Sequence, residues 1–252
     1  MKSFKMKSLA LAVLGLASFA VAGSAFAVCP AVAALPWSGG ASALGGGTLA
    51  VSGTGLDGSA CKLDATLGTD SADQATVTDT SPANEPRYRF QFLVNASALG
   101  ALASTDSVNL LTTSGATTVH GRRGIIAVNL VPAASGNRLS FNWSCNNGTT
   151  YRCTATTGAI TLAAGVNRIE FDVLMATSGA NGSIRYWINA PSGTTEPAVS
   201  GSVTGIDNSA WVGAKTTTMG LASPSPTQSS GHSGQIVSFD TFDSRRQTYI
   251  GY

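Results

Sequence analysis

One pattern dominates the chain from Arg87 to Phe242: short runs in which apolar and polar residues alternate, separated by turn-forming residues. The clearest is Arg87-Tyr88-Arg89-Phe90-Gln91-Phe92-Leu93-Val94, where Tyr88, Phe90 and Phe92 occupy every second place. Alternation of this kind turns successive side chains to opposite faces, the mark of a half-buried strand. Similar runs occur at 108–111, 124–131, 138–145, 167–175, 182–189, 211–220 and 235–242, with weaker ones such as Thr48-Leu49-Ala50-Val51-Ser52 earlier. Gly, Ser, Pro and Thr fill the intervals and no helical periodicity intervenes, so the pattern predicts an all-β sandwich or barrel. Residues 96–103 are the exception, with one or two helical turns, and 223–233 reads as a Pro/Ser-rich surface loop.

The start of the chain reads differently. Lys2, Lys5 and Lys7 precede a mostly apolar run from Leu9 to Ala22, and Ala25-Phe26-Ala27 follows. A basic start, a short apolar core and a small-x-small end describe a secretory signal peptide over 1–27. The mature domain is then expected over 28–252, secreted or periplasmic. No later segment approaches the roughly 20 unbroken apolar residues of a membrane-spanning helix. Removing the signal takes three lysines away and leaves 12 basic against 13 acidic side chains, so the net charge drops from +2 to about −1. The basicity belongs to the signal, and no charge-based case for a nucleic-acid partner survives it.

Cys29, Cys61, Cys145 and Cys153 all follow the signal and are even in number, which reads as a disulfide framework in an oxidising compartment. The nearest-neighbour pairing of the three possible is the most economical. Cys145 and Cys153 flank Asn146-Asn147-Gly148-Thr149, a strong turn signal, and predict a hairpin stapled across its strands. Cys29 with Cys61 would tie the mature N-terminus to the domain. Neither spacing is C-x-x-C, which argues against zinc and redox catalysis.

Several segments together resemble the concanavalin A-like lectin/glucanase superfamily in its laminin-G-like form. They are the strand from Arg87 with Pro82 and Glu85 before it, Asn167-Arg168-Ile169-Glu170-Phe171-Asp172, and Gly182-Ser183-Ile184-Arg185-Tyr186-Trp187-Ile188-Asn189. Gly205-Ile206-Asp207-Asn208, Met219-Gly220 and Phe239-Asp240-Thr241-Phe242-Asp243 complete the set. The resemblance implies a two-sheet antiparallel jelly-roll β-sandwich and leaves function open, because that fold hosts lectins, hydrolases and structural modules.

Glu170 and Asp172 match two places of the E-x-D-x-(x)-E strand motif of glucanases of this fold, but the third place falls on Leu174 or Met175. Without a second carboxyl on the other side of the bond there is no proton donor. The two acids are therefore expected as solvated side chains on an edge or surface strand. His120 and His232 sit in glycine-rich surroundings without a G-x-S-x-G elbow, so a Ser-His-Asp triad is not expected. Asp207 with Asn208, and Asp240 with Asp243, supply the hard oxygens that calcium takes, although Asp-Asn beside a turn glycine is equally an ordinary turn. No cofactor is expected, calcium being the alternative those oxygens leave open.

For ligand binding the candidates are Trp143 and Tyr151, expected as an exposed pair beside the stapled hairpin, and the basic pair Arg122 and Arg123, which would grip an acidic group. Trp187 is expected in the core. These features point to a non-catalytic module binding a glycan or other cell-surface component. A structural or adhesive protein and a diverged glycoside hydrolase or lyase are the alternatives.

Overall fold

The computed structural model describes residues 29–154, 160–191, 193, 195–245 and 247–251. The signal expected over 1–27 lies outside them. The described chain is an antiparallel sandwich of two sheets, and no helix in it is long and apolar enough to cross a membrane. The eight-stranded sheet runs β1 (Ala41–Leu44), β4 (Gln74–Asp79), β14 (Ala214–Ala222), β6 (Val108–Val119), β7 (Arg122–Pro132), β8 (Asn137–Ser144) and β10 (Ile160–Thr161), with β9 (Arg152–Thr154) also on β8. The seven-stranded sheet runs β13 (Gly201–Ile206), β12 (Gly182–Ile188), β11 (Val166–Leu174), β5 (Arg87–Asn95), β15 (Ile236–Arg245), β3 (Cys61–Thr66) and β2 (Thr48–Gly53).

The alternation read from the sequence sets which faces meet. Tyr88, Phe90, Phe92 and Val94 of β5 point into the sandwich, beside Ile169, Phe171 and Val173 of β11. Phe141 and Trp143 of β8 face them from the other sheet, with Phe141 edge-on to Phe171 at a centroid distance of 5.3 Å. A wholly buried aromatic of this kind contributes about 3–5 kcal/mol relative to alanine. Trp143 thus belongs to the core, 7% exposed, which corrects its expected place in an exposed pair. Its parity decides this: with Leu139 and Phe141 it shares the inward face, and Ser140, Asn142 and Ser144 turn outward.

Both expected disulfides are present, Cys29–Cys61 and Cys145–Cys153. The second staples the hairpin of β8 and β9, in which Asn142 to Ser144 pair with Thr154 to Arg152. Gly220 lies at φ +136°, and a Cβ there would stand 2.1 Å from the Ala75 carbonyl oxygen, so only glycine fits where β14 crosses β4. Helical structure is brief. Residues 96–103 hold one 3-10 turn, Ser97–Leu99, while the expected loop at 223–233 contains the helix α1 (Pro226–Gly231). Ser225 caps it by accepting from the Gln228 N–H, and Pro226 follows in the first turn, where a missing N–H costs nothing.

Candidate functional site

Two polar regions lie on the outer faces, one on each sheet, and their electrostatics separate them. On the seven-stranded sheet outward positions of three neighbouring strands carry charges: Arg87 and Arg89 on β5, Glu170 and Asp172 on β11, and Arg185 on β12. Glu196 joins them from the loop after β12. Asp172 accepts from Arg87 (3.0 and 2.9 Å) and from Arg185 (3.1 and 2.6 Å). Arg89, wholly buried, reaches Glu170 at 2.9 Å and Glu196 at 2.7 Å. Its guanidinium also lies 4.5 Å from the centre of the Trp187 ring and 5.2 Å from that of Tyr249.

Glu170 and Asp172 are 2% and 3% exposed in a strand with neighbours on both sides, which overturns the expectation of solvated acids on an edge. What the motif comparison missed is complementarity: three arginines and three acids occupy facing positions, and the chain end closes over them when the Ile250 N–H donates to Glu170. Trp187 is buried as expected, but on this outer face and not in the core between the sheets. The Arg87 and Arg185 guanidiniums hold the Asp172 carboxyl below its ordinary value in spite of burial, whereas burial pushes Glu170 up against the pull of Arg89. A set of matched charges around the buried Arg89, Glu170 and Asp172 is a structural clamp.

The eight-stranded sheet carries the opposite arrangement. A cleft of about 500 Å³ opens on its outer face over β14, β6, β7 and β8. Thr112, Asn129, Asn142 and Thr218 line its floor, and Arg122, Arg123 and Arg152 stand at one end. The strand order explains the clustering, because the turn from β6 to β7 and the turn from β8 to β9 fall at the same end of the sheet. Arg122 Nε donates to the Thr150 carbonyl at 2.9 Å and Arg123 to the Ala116 carbonyl at 3.1 Å, so the two guanidiniums are held by backbone. Among the described residues none of the three arginines forms a salt bridge, and no carboxylate lines the cleft. Asn109 is locked by donating to the Leu111 and Val128 carbonyls and to Asn129, whereas the Asn142 side-chain amide has no described protein partner.

The remaining candidates distribute as follows. Tyr151, half-buried, stacks on exposed His120 with ring centres 3.7 Å apart, beside the arginine end. The structure therefore brings Arg122 and Arg123 to one end of the cleft together with Arg152, which the sequence did not single out, and sets Tyr151 and His120 beside that end. His232 is held by Gln235 at 3.0 Å and stands 3.9 Å from buried Asp106, so it is not a free loop histidine. The four metal candidates do not converge. Asp207 and Asn208 follow β13, the latter accepting from the Ala176 N–H at 2.6 Å, while Asp240 and Asp243 lie on β15 four strands away. Asp240 accepts from the Leu56 N–H and the Ser59 hydroxyl, and Asp243 pairs with Arg245. Among the described residues no group of three or more His, Cys, Asp or Glu side chains is placed to hold a metal ion.

No family model matches the chain, and no curated protein matches it either. Solved structures do. An endo-β-1,4-glucuronan lyase from the fungus Trichoderma reesei superposes with TM-score 0.59 at 10% identity, covering 84% of this chain and 92% of that one. The alginate lyase Aly36B gives 0.55 at 13% identity, covering 83% and 88%. The T. cruzi calreticulin globular domain gives 0.51 at 10%, covering 80% of each chain. Identities this low establish architecture alone. The architecture is the concanavalin A-like jelly roll, a two-sheet antiparallel β-sandwich.

Proposed function

We propose that this protein is an exported glycan-binding module that holds an anionic carbohydrate, such as a uronate chain, in the cleft on its eight-stranded sheet. The carrying observation is the set of three guanidiniums, Arg122, Arg123 and Arg152, at a cleft with no carboxylate in its lining. Guanidinium presents fixed planar donors that match a carboxylate or sulfate in pairs. The unpartnered Asn142 amide and the Thr112 and Thr218 hydroxyls supply the neutral donors and acceptors that sugar hydroxyls require. Glycan-directed enzymes among the structural neighbours are consistent with this reading.

The same lining supports a reading of binding without turnover. Abstraction of a sugar proton needs a base, and hydrolysis needs an acid and a second carboxylate. The lining residues offer no His, Tyr, Lys, Asp or Glu, and arginine does not give up its proton in this range. One observation favours the lyase alternative, the His120–Tyr151 stack beside the arginine end. Incubation with alginate, glucuronan, pectate and neutral glucans tests both. Retention on the acidic polymers without new reducing ends or unsaturated products supports the module. Unsaturated product that disappears in His120→Ala would replace it with a lyase.

A further inference from the structure

A second cavity, of about 560 Å³, opens where the two sheets part, between the N-terminal segment 30–38 and strands β3, β14 and β15. It shares no residue with the glycan cleft: Met219 of β14 lines it, while the neighbouring Thr218 turns to the other side of the sheet. Its volume is in the range of small-molecule sites. Its inner wall is apolar, from Val51, Leu63, Met219 and Phe239, and Trp37 with Phe242 forms one aromatic surface with ring centres 4.9 Å apart.

The fold builds this cavity deliberately. Asp240 to Asp243 of β15 oppose Leu93 to Gln91 of β5, so β15 carries one extra residue, a β-bulge. The bulge changes the parity of the strand and turns Phe242 toward Trp37, where simple alternation from Phe239 would have turned it away. Thr241 within it sits at φ +49°, a costly conformation for a β-branched residue and one that gathers at functional sites. The opposite wall is equally fixed. Cys29–Cys61 ties it to β3, Val32–Ala34 makes a 3-10 turn, and the Ser38 hydroxyl donates to Asp79 at 2.8 Å.

Charge selects the ligand. Asp79, Asp240 and Asp243 line the cavity against Lys62, whose ammonium is bonded to Asp64 at 2.8 Å. Asp79, which shares the inward parity of Ala75 and Val77, takes hydrogen bonds from the Ser38 hydroxyl and the Ser81 N–H and, among the described residues, has no Lys or Arg in ion-pair range. An aromatic surface beside an uncompensated carboxylate favours a cation with an apolar body. We infer that this cavity is a binding site for a small organic cation, an alkyl or aryl ammonium compound.

The test is calorimetric titration of the intact protein with benzyltrimethylammonium at low ionic strength, against phenylacetate as the anion of similar ring size. Trp37 emission provides a second readout. The inference expects saturable binding of the cation at one site, none of the anion, and a loss of about threefold or more in both Asp79→Asn and Phe242→Leu. The cleft variant Arg152→Gln should bind the cation as wild type does, which separates this site from the glycan cleft. Equal binding of cation and anion, no saturation, or unchanged affinity in Asp79→Asn overturns it. Should Phe242→Leu melt early, Asp79→Asn and the loss of the emission change in Trp37→Phe decide alone.

Discussion

Replacing Asp172 with asparagine tests the reading of the charged face as a clamp. The carboxylate is 3% exposed and accepts four hydrogen bonds from two guanidiniums. Asparagine keeps the shape but removes the charge and points N–H donors at Arg87 or Arg185. Breaking one partner out of a buried ion pair costs about 3–5 kcal/mol. Here the side chains of Arg87 and Arg185 are 33% and 32% exposed and regain part of their hydration, and Arg89 keeps Glu170 and Glu196. The low end applies, about 3 kcal/mol. Urea unfolding should show the midpoint falling with an unchanged slope, and the melting temperature should fall by roughly 6–12 °C for a domain of this size. Asp243→Asn, removing a surface pair with Arg245, is the control and should cost under about 1 kcal/mol. A loss under about 1 kcal/mol in Asp172→Asn as well would refute the clamp and return Asp172 to the status of a solvated strand acid.

Acid should weaken the fold through the same face. Asp172, Glu196 and Asp64 are all held below their ordinary values, so the unfolded chain binds more protons than the folded one as pH falls below the usual carboxylate range of about 4. The stabilisation is present above that range and disappears on acidification through the lowered folded values; acid titration by circular dichroism should show it, and Asp172→Asn should flatten the curve. Phe90→Ala, at a wholly buried core position, should cost about 3–5 kcal/mol by the same urea assay. The Cys29–Cys61 bridge closes a loop of separation 32 and the Cys145–Cys153 bridge one of 8, so their selective removal should cost about 3.5 and about 2.5 kcal/mol respectively. Replacement of each pair by alanine and denaturant titration measures both.

The sandwich was legible because burial repeats every second residue. Tyr88, Phe90 and Phe92 declare an inward face without knowledge of their neighbours, and the turn between Cys145 and Cys153 announces its own hairpin. The outward faces were less legible, since a charged residue at an outward position looks the same whether water or another charge meets it. Arg89 and Glu170 are 81 residues apart, and only the pairing of β5 with β11 shows them matched. Trp143 failed for a related reason: proximity to a turn suggested exposure, but its place two residues after Phe141 fixes it inward. Arg152 escaped notice as a lone arginine. It becomes part of a cationic cleft only because the hairpin of β8 and β9 folds back to the end where Arg122 and Arg123 stand.

Three guanidiniums that have no carboxylate partner among the described residues, Arg122, Arg123 and Arg152, are proposed to give the cleft its ligand. Isothermal titration of a tetrameric oligouronate and of a neutral tetrasaccharide, into wild type and into the Arg122→Gln/Arg123→Gln/Arg152→Gln variant at two salt concentrations, tests this most directly. The account predicts that wild type binds the oligouronate, more weakly as salt rises, and that the triple variant loses at least about tenfold in affinity while melting as wild type does. Affinity for the oligouronate that is indifferent to salt and unchanged in the triple variant, or a preference for the neutral sugar, would contradict it.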